Sequence, residues 1–438
     1  MARSGTTNRP LALLGGKPVW TERWPVWPRH GERALARLQS VLEGGRWAVS
    51  GAWNGQRTMD QEFSERFAAY LGASHAYTVD HGSSALFAAL QAVGVGFGQE
   101  VIVPGLTWVA CASAALRLNA VPVLVDVSAD TLCMSPAAVE AAITPSTAAI
   151  LVVHLYSAMA DMERLRSIAD RHHLPLVEDC AQAHGAIWDG RHAGTLGDVA
   201  AFSMQQGKVM TCGEGGALVT SDPAIARRLE LLRTDGRRYL AAAPPVGHPD
   251  LEERGDIQGF NLCLSEFQSA LLLDALERLE EETEQRAAMA DLLARRLGEL
   301  RGVEPIRPHP QNTRRAYYHY AVRFEAEEFA GCSVEQICAA LEAELGTWVH
   351  PPYRPLDAHP LYRPERYAGL PAALRERADP RRFPLPEAHR QASRTLLFHH
   401  SVLLGSEHHI NAIAEALAKV QAGAAALRAL PRGVRVES

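Results

Sequence analysis

The chain has 438 residues, 47% of them hydrophobic and 21% charged, which is typical of a globular protein large enough for two domains. A formal net charge of −6, without long runs of like charge, argues against nucleic-acid binding. Seven cysteines without CxxC spacing, and the lack of a stretch apolar enough for a signal peptide or a membrane span, predict a cytoplasmic protein that does not bind membranes.

Residues 1–30 are predicted to form an N-terminal arm. Residues 1–10 are polar and predicted to be disordered, whereas the stretch 11–27 carries three tryptophans and is too short for a core of its own. We expect this stretch to lie across the body of the chain or across a partner subunit. The favoured alternative is that this stretch packs as an ordinary chain terminus, without a special role.

Residues 31–285 are predicted to form a large domain in which strands and helices alternate. Helical spacing covers 32–42, 59–71, 85–93, 136–142 and 223–232, and β-type runs cover 76–79, 101–103, 121–127, 148–154, 175–179, 199–203 and 217–220. This alternation predicts an α/β fold with a mainly parallel, seven-stranded sheet covered by helices.

The sequence from His81 to Ser84 joins the first predicted strand to a helix. Free backbone N–H groups and the helix dipole make such a junction a site for an anion. We assign it to a phosphate, with Gly82 allowing close approach and Ser83 and Ser84 donating hydrogen bonds. By itself, the pattern favours a plain serine N-cap, and the lysine further along the chain reverses that preference.

Polar side chains follow three apolar runs between residues 175 and 220. Asp179 closes the first run, Gln182 follows on the outgoing loop, Ser203 closes the second run, and Lys208 comes just after it. The chain has three lysines among 44 basic residues, so a lysine at this position is unusual. Because the carboxyl ends of parallel strands meet at one edge of a sheet, we expect the acid and the amine to converge.

An aspartate and a lysine at such an edge are typical of enzymes that use pyridoxal phosphate. In these enzymes the lysine amine holds the cofactor covalently, and the acidic side chain pairs with the ring nitrogen. Lys208 and Asp179 are therefore the predicted catalytic residues. The pKa of a lysine, about 10.4 in isolation, must be lowered for this role, which burial and a nearby cation can do. The alternative is a surface lysine and an aspartate that caps a helix.

Three segments carry a resemblance to a known family. EDCAQAHGA, GDVAAFSMQQGK and GEGGALVT resemble the aspartate-plus-glutamine strand, the serine-to-lysine strand and the glycine loop of the sugar and cyclitol aminotransferases, a fold-type I pyridoxal phosphate family. SMQQGK and the later RRAYYHY are most similar to the L-glutamine:scyllo-inosose aminotransferases. The resemblance runs from about residue 11 to residue 420.

The resemblance implies roles for further residues. Trp108 would stack on the cofactor ring, Gln182 would lie beside the ring hydroxyl, and Ser203 would bind the cofactor. Asn261 matches an asparagine that relatives extend to the phosphate in a neighbouring subunit, which implies a homodimer with shared active sites. Relatives often place an arginine where this chain has Cys263, so any role that the positive charge of that arginine has in relatives is in doubt for this chain.

Residues 286–438 are predicted to form a smaller α/β domain, joined to the first by a long helix over 267–300. Its predicted elements are a strand at 318–324 and helices at 333–345 and 411–430, whereas 233–256 before the long helix is predicted as a polar loop. Tyr318 and His319 are the preferred substrate-binding candidates, with core packing as the alternative. The histidine pairs at 399–400 and 408–409 lack a third ligand, and adjacent histidines should point in different directions, so no metal is predicted.

These expectations combine into one hypothesis. An amino acid, L-glutamine by resemblance, leaves its nitrogen on the cofactor, which then aminates the ketone of a cyclitol such as scyllo-inosose or its 2-deoxy analogue. Two alternatives share the fold. One is a nucleotide-keto-sugar aminotransferase, and the other is a dehydratase similar to 3-amino-5-hydroxybenzoate synthase.

Overall fold

The computed structural model describes residues 10–429, so most of the segment predicted to be disordered, 1–9, lies outside the described residues. The strands are β1 (His75–Val79), β2 (Glu100–Pro104), β3 (Val121–Val125), β4 (Thr147–Val153), β5 (Leu176–Asp179), β6 (Ile187–Trp188), β7 (Arg191–His192), β8 (Val199–Ser203), β9 (Gly216–Thr220), β10 (Arg237–Tyr239), β11 (Leu251–Glu253), β12 (Val303–Pro305), β13 (His319–Phe324), β14 (Val349–His350) and β15 (Thr395–His399).

The helices begin and end close to the predicted positions in most cases. They are α1 (Ala34–Gly44), α2 (Met59–Leu71), α3 (Gly82–Ala92), α4 (Ala110–Arg117), α5 (Pro136–Ala142), α6 (Met162–Arg171), α7 (Pro223–Arg233), α8 (Glu266–Leu297), α9 (Val334–Leu345), α10 (Ala372–Arg377), α11 (Pro386–Ala392), α12 (Glu407–Ala422) and α13 (Ala424–Arg428). Local caps explain several starts. Ser135 and Asp222, for example, each accept a backbone N–H of the helix that follows.

The central sheet has seven strands within the described residues, in the order β1-β9-β8-β5-β4-β2-β3. Neighbouring strands from β8 to β3 are parallel, and β9 runs antiparallel to both β1 and β8. The predicted α/β fold with a mainly parallel seven-stranded sheet is therefore confirmed. Asp179 at the end of β5 pairs with Ala201 of β8, two residues before Ser203, so both strands end at the same edge of the sheet.

Helices cover both faces of this sheet. Every residue of β2, β3, β5 and β9 is buried, and β2 and β3 consist mostly of Val, Ile and Leu, as expected of strands that are covered on both faces. The core of the sheet is continuous with α3, which is buried along most of its length and packs on β8 and β9. The sheet edge is therefore held rigidly from both sides.

A second core forms around an antiparallel sheet with the order β12-β13-β15-β14. It contains Phe324, Ile337 and Ile413 from β13, α9 and α12. Helix α8, which starts at a capping box of Ser265 and Gln268, has 32 residues and contributes side chains to both cores. The predicted boundaries at residues 30/31 and 285/286 stay predictions.

Two stretches differ from their predictions. The predicted polar loop 233–256 contains the two paired strands β10 and β11. Asp250, directly before β11, forms a buried ion pair of 2.8 Å with Arg46. The last helix starts earlier than predicted, at Glu407, because Ser406 and His409 form a capping box. It is interrupted at Gly423, after which α13 follows.

The N-terminal arm packs against its own chain, around the second core. Leu11 and Trp20 are buried there. Glu344, fully buried at the end of α9, accepts hydrogen bonds from the backbone N–H groups of Ala12 (2.8 Å) and Val19 (3.1 Å) and from the amine of Lys419 (2.7 Å). The arm is thus fixed at two points by one carboxylate. No helix within residues 10–429 is both long enough and apolar enough to cross a membrane.

Candidate active site

A cavity of about 380 Å³ opens at the carboxyl edge of the central sheet. It is lined by side chains from the ends of β5 and β8, from the starts of α3 and α4, and from Tyr318 and Tyr353, which lie close to β13 and β14 in the chain. The lining residues are His81, Gly82, Ser83, Leu86, Thr107, Trp108, Ala110, Val153, Asp179, Ala181, Gln182, Ala201, Phe202, Ser203, Gln205, Lys208, Tyr318 and Tyr353. Seven of the predicted cofactor residues and the predicted substrate residue Tyr318 are thus brought together.

Lys208 follows β8 on a tight turn, in which its N–H donates to the carbonyl of Gln205 over 2.8 Å. Its Nζ lies 4.1 Å from the centre of the Tyr318 ring. Burial lowers the pKa of Lys208 to about 8, while the nearby carboxylate of Asp179 opposes that shift. A lysine with this pKa is a competent nucleophile and base near neutral pH.

Asp179 is buried at the end of β5 and is held by two donors. Its Oδ1 accepts the N–H of Ala181 over 2.9 Å, and its Oδ2 accepts the thiol of Cys111 over 3.1 Å. The sulfur of Cys111 lies 3.4 Å from the hydroxyl of Thr107. The carboxylate therefore has a fixed orientation toward the cavity that it lines.

Gln182 connects the sheet edge to an aromatic group. Its Oε1 accepts the N–H of Tyr156 over 3.0 Å, and its Nε2 donates to the hydroxyl of Tyr353 over 3.3 Å. Tyr156 in turn accepts the N–H of Tyr353 over 2.8 Å. Tyr156 and the next residue, Ser157, both have a positive φ, 49° and 69°, a conformation that is found at sites where the surroundings impose it.

The anion site predicted from the sequence lies at the start of α3. His81, the N-cap residue, makes no capping hydrogen bond with its side chain, so the first N–H groups of the helix face the cavity without that partner. At Gly82, a Cβ atom would lie 2.5 Å from the Cβ of Ser203. The glycine is therefore needed for β8 to approach α3, a packing reason that the sequence-based assignment to ligand approach did not include.

Three predicted site residues lie away from the cavity wall of this chain. Ser84 is buried in α3, Asn261 is exposed, and His319 is buried next to Tyr318, with ring centres 4.1 Å apart. Burial and the neighbouring His350, His399 and Lys208 hold the pKa of His319 well below its usual range. The functional roles of these three residues stay predictions.

His154, near the end of β4, has a structural environment. Its Nε2 lies 3.0 Å from Glu178, and its Nδ1 accepts the N–H of Ala160 over 3.3 Å. Glu178 also accepts three backbone N–H groups, from Gly194, Leu196 and Gly197. With Cys180 these two residues form the one metal-like cluster found within residues 10–429, but the histidine and the carboxylate already use their ligand atoms. We interpret the pair as a support for the strand that carries Asp179.

Sequence reasoning missed Cys111, and it predicted the segment 350–362 as a cluster that could close over substrate without selecting Tyr353. Cys111 lies in α4, three residues after Trp108. Because residues three positions apart share one side of a helix, this spacing was a signal that Cys111 lies near the site. Tyr353 belongs to the aromatic segment 350–362, in which the sequence contains nothing that distinguishes it from its neighbours. The ring of Tyr353 lies 5.7 Å from that of Trp108, and Trp108 is 47% exposed toward the opening.

Comparison with known proteins defines the class. The model of the DegT/DnrJ/EryC1/StrS aminotransferase family matches residues 28–414, and the chain belongs to this family. It is a pyridoxal-phosphate-dependent aminotransferase. The crystal structure of 3-amino-5-hydroxybenzoic acid synthase is similar, with a TM-score of 0.76 and 34% identity over 91% of this chain and 99% of that one.

Among the relatives, two are 49% identical over 412 residues, which is 94% of this chain and 97% of each relative. They are the L-glutamine:2-deoxy-scyllo-inosose aminotransferase of Streptoalloteichus tenebrarius and the L-glutamine:scyllo-inosose aminotransferase of Streptomyces griseus. The structure of DesI in the presence of its TDP-sugar product has a TM-score of 0.75 at 27% identity, over 94% of this chain and 96% of that one.

Proposed function

We propose that this aminotransferase transfers the amino group of L-glutamine to the ketone of a cyclitol, of the scyllo-inosose or 2-deoxy-scyllo-inosose type, in aminocyclitol antibiotic biosynthesis. The observation that carries the proposal is the similarity over nearly the whole chain to several relatives with these printed activities, at 45–49% identity. Such similarity covers the sheet edge as well as Tyr318 and Tyr353, and all of these line the cavity.

The residues of the cavity fit pyridoxal phosphate. An uncapped helix start suits the phosphate, a lysine with a lowered pKa suits the covalent attachment, and a buried carboxylate suits the ring nitrogen. The residues that we assign to the cofactor are Gly82, Ser83, Ser84, Trp108, Asp179, Gln182, Ser203 and Lys208. When bound, the cofactor supplies an aldehyde for the amino group and a ring that accepts electrons.

The two catalytic residues divide the chemistry. Lys208 moves a proton to or from the substrate carbon, which its pKa of about 8 permits near neutral pH. Asp179, oriented by Cys111 and Ala181, holds a proton on the ring nitrogen. The ring of Tyr318, 4.1 Å from the amine of Lys208, limits the positions that the amine can take.

The charge of the cavity supports a cyclitol over a nucleotide sugar. Among the described residues that line it, Lys208 is the one lysine or arginine, and Asp179 is the one carboxylate. Hydroxyl, amide and aromatic side chains make up most of the rest, which suits an uncharged ring with several hydroxyl groups. A diphosphate would need cations that this wall does not provide.

We also propose a cytoplasmic homodimer. Asn261 is exposed and lies off the cavity wall of its own chain, which supports its assignment to the phosphate site of a second copy. Trp47 and Trp348 are more than half exposed and are candidates for burial in the same interface. All seven cysteines are free thiols, which supports a reducing compartment.

The test is a substrate panel. The purified protein, loaded with pyridoxal phosphate, is incubated with L-glutamine and, in separate reactions, with scyllo-inosose, 2-deoxy-scyllo-inosose, a nucleotide 3-keto sugar and a nucleotide 4-keto sugar. We expect an aminated cyclitol by mass spectrometry, and a slower reaction when L-glutamate replaces L-glutamine. Lys208→Ala is the matched inactive control.

Two outcomes contradict the proposal. Amination of the nucleotide sugars alone would favour the nucleotide-keto-sugar aminotransferase. An aromatic amine as product would favour the dehydratase alternative, which the similarity to 3-amino-5-hydroxybenzoic acid synthase keeps in view.

A further inference from the structure

The turn that carries Lys208 has two carbonyl groups that it cannot satisfy itself. Within the turn, the N–H of Lys208 donates to the carbonyl of Gln205, and the N–H of Gly207 donates to the side chain of Gln205 over 2.8 Å. The carbonyls of Gln206 and Gly207, the two central residues, remain for partners outside the turn. Three ring N–H groups from distant parts of the chain provide those partners.

The first donor comes from the N-terminal arm. Nε1 of Trp27 lies 2.9 Å from the carbonyl oxygen of Gln206. The Trp27 ring packs edge-on against His400, with ring centres 4.4 Å apart, and the guanidinium of Arg286 lies 5.5 Å from the Trp27 ring centre. The family model matches residues 28–414, so Trp27 lies outside the matched part of the chain.

The other two donors come from the second core. Nε2 of His399 and Nε2 of His400 lie 3.0 Å and 3.1 Å from the carbonyl oxygen of Gly207. The expectation that these adjacent histidines point in different directions is wrong. The chain leaves β15 at His399 and enters a 3-10 helix at His400, and this change of conformation turns both rings toward one carbonyl.

The second nitrogen of each ring fixes the tautomer. Nδ1 of His399 accepts the N–H of Ser401 over 3.4 Å and lies 2.9 Å from the Ser401 hydroxyl, which can donate to it. Nδ1 of His400 accepts Nε–H of Arg286 over 3.3 Å. Each imidazole is therefore a neutral ring that carries its proton on Nε2, where it donates to Gly207. Burial lowers the pKa of both histidines, so the rings stay neutral near neutral pH. This arrangement leaves neither ring a free nitrogen for a metal.

We propose that Trp27, His399 and His400 are positioning residues that hold the Lys208 turn in place. The arm and the second core thereby fix the position of the Lys208 amine, which in the proposed function is attached to pyridoxal phosphate. None of the three touches the amine. Their effect passes through the carbonyls of Gln206 and Gly207, directly before Lys208. The inference rests on the proposed cofactor, but not on the identity of the keto substrate.

The arm offers a matched pair of variants. Trp27→Phe and Trp24→Phe each remove one indole N–H from the same arm, but Trp24 donates to the carbonyl of Leu345 over 2.7 Å, away from the turn. We expect Trp27→Phe to weaken pyridoxal phosphate binding about 3-fold and to move the pH midpoint of its visible absorbance, because one net hydrogen bond is lost. Trp24→Phe should leave both quantities at their wild-type values.

The histidines are tested with variants that keep or remove the donor. His399→Gln and His400→Gln place an amide N–H near the position of Nε2, whereas His399→Leu and His400→Leu remove it. We expect each leucine variant to bind the cofactor about 3- to 10-fold more weakly, and each glutamine variant to recover most of the loss. Far-UV circular dichroism and melting temperature report whether each variant is folded.

These measurements use the full-length holoenzyme and pyridoxal phosphate alone, without a keto substrate. If wild-type protein binds no pyridoxal phosphate, the proposed function fails. If it binds and titrates normally, and Trp27→Phe and both leucine variants do the same, the positioning role is overturned. Equal losses in Trp24→Phe and Trp27→Phe would also overturn it, because the effect would then belong to arm docking in general.

Discussion

The thiol of Cys111 donates a hydrogen bond of 3.1 Å to Oδ2 of Asp179. Burial and the neighbouring charge of Asp179 hold the pKa of the Cys111 thiol well above its usual range. The thiol therefore stays protonated at every pH at which the enzyme works, and it remains a donor. Asp179 is the proposed partner of the ring nitrogen, and its orientation thus depends on Cys111 in helix α4.

Replacing Cys111 should weaken the cofactor site. We expect Cys111→Ala to raise the dissociation constant of pyridoxal phosphate about 3- to 10-fold, because Asp179 loses one of its two fixed donors. Cys111→Ser keeps a donor at nearly the same place and should stay within about 2-fold of wild type. A titration followed by visible absorbance measures both. Equal affinities for the alanine and serine variants would show that the thiol does not act as a donor.

The pKa of Lys208 predicts a pH dependence of stability. Its folded-state value of about 8 lies below the unfolded value of about 10.4, so between these pH values the unfolded chain binds more protons and the stability of the apoenzyme rises with pH. Lys208→Met removes the free-energy cost of burying the charged amine. We expect the variant apoenzyme to be more stable than wild type at pH 7, on the order of 1–3 kcal/mol, and the difference to vanish toward pH 10.

Thermal unfolding of the apoenzymes between pH 6 and pH 10 measures this difference. Lys17→Met is the control, because Lys17 is exposed in the N-terminal arm. A constant offset between Lys208→Met and wild type across the pH range would contradict the assignment of the effect to the lysine charge. The visible absorbance of the covalent adduct between the cofactor and Lys208 should also be absent in Lys208→Met.

Gly82→Ala should separate α3 from β8. The added Cβ would lie 2.5 Å from the Cβ and 2.9 Å from the Cα of Ser203, so strand or helix must shift. We expect the variant to lose at least about 10-fold in cofactor affinity, since the helix start and Ser203 belong to the same proposed phosphate site. Gly96→Ala is the matched control, because its Cβ would make only an ordinary contact of 3.8 Å with Oε1 of Gln99. Unchanged affinity in Gly82→Ala would place the phosphate elsewhere.

Asp60 and Arg233 form a buried ion pair that ties α7 to α2 and β1. The guanidinium contacts both carboxylate oxygens, at 2.8 Å and 3.0 Å, and donates to the carbonyl of Thr78 over 2.8 Å. Burial alone would raise the pKa of Asp60, but the charge and hydrogen bonds of Arg233 lower it. We expect Arg233→Met to cost about 3–5 kcal/mol, because an unpaired carboxylate stays buried.

The pKa of Asp60 is lower in the folded state than in the unfolded state. The charged carboxylate therefore stabilises the fold at pH values above its unfolded pKa of about 3.9, and this stabilisation is lost as the pH falls through the folded-state pKa. Urea unfolding at pH 7 and at a pH below about 3 measures both effects. The double variant Asp60→Asn with Arg233→Met should cost less than Arg233→Met alone. A double variant as unstable as the sum of the single variants would contradict the pairing.

Much of the fold follows from local patterns in the sequence. The strands that end at Asp179 and Ser203 were predictable because short apolar runs end at polar residues there. Helix starts such as that at Ser265 were predictable because a capping box needs two residues three positions apart. The ladder in 233–256 was missed because short strands there are stabilised by a distant ion pair, Arg46 to Asp250, that no local pattern contains.

The sequence by itself determined the order of Asp179, Gln182, Ser203 and Lys208 along neighbouring strands, because strand periodicity and parallel pairing act over a few residues at a time. Only the tertiary structure decided that Cys111 would hold Asp179, that Tyr353 would reach Gln182, and that Trp27 and two histidines would hold the turn before Lys208. Those contacts join residues up to 193 positions apart, and they depend on how the arm and the second core pack against the sheet. The lowered pKa of Lys208 has the same origin, because burial is a property of the folded chain.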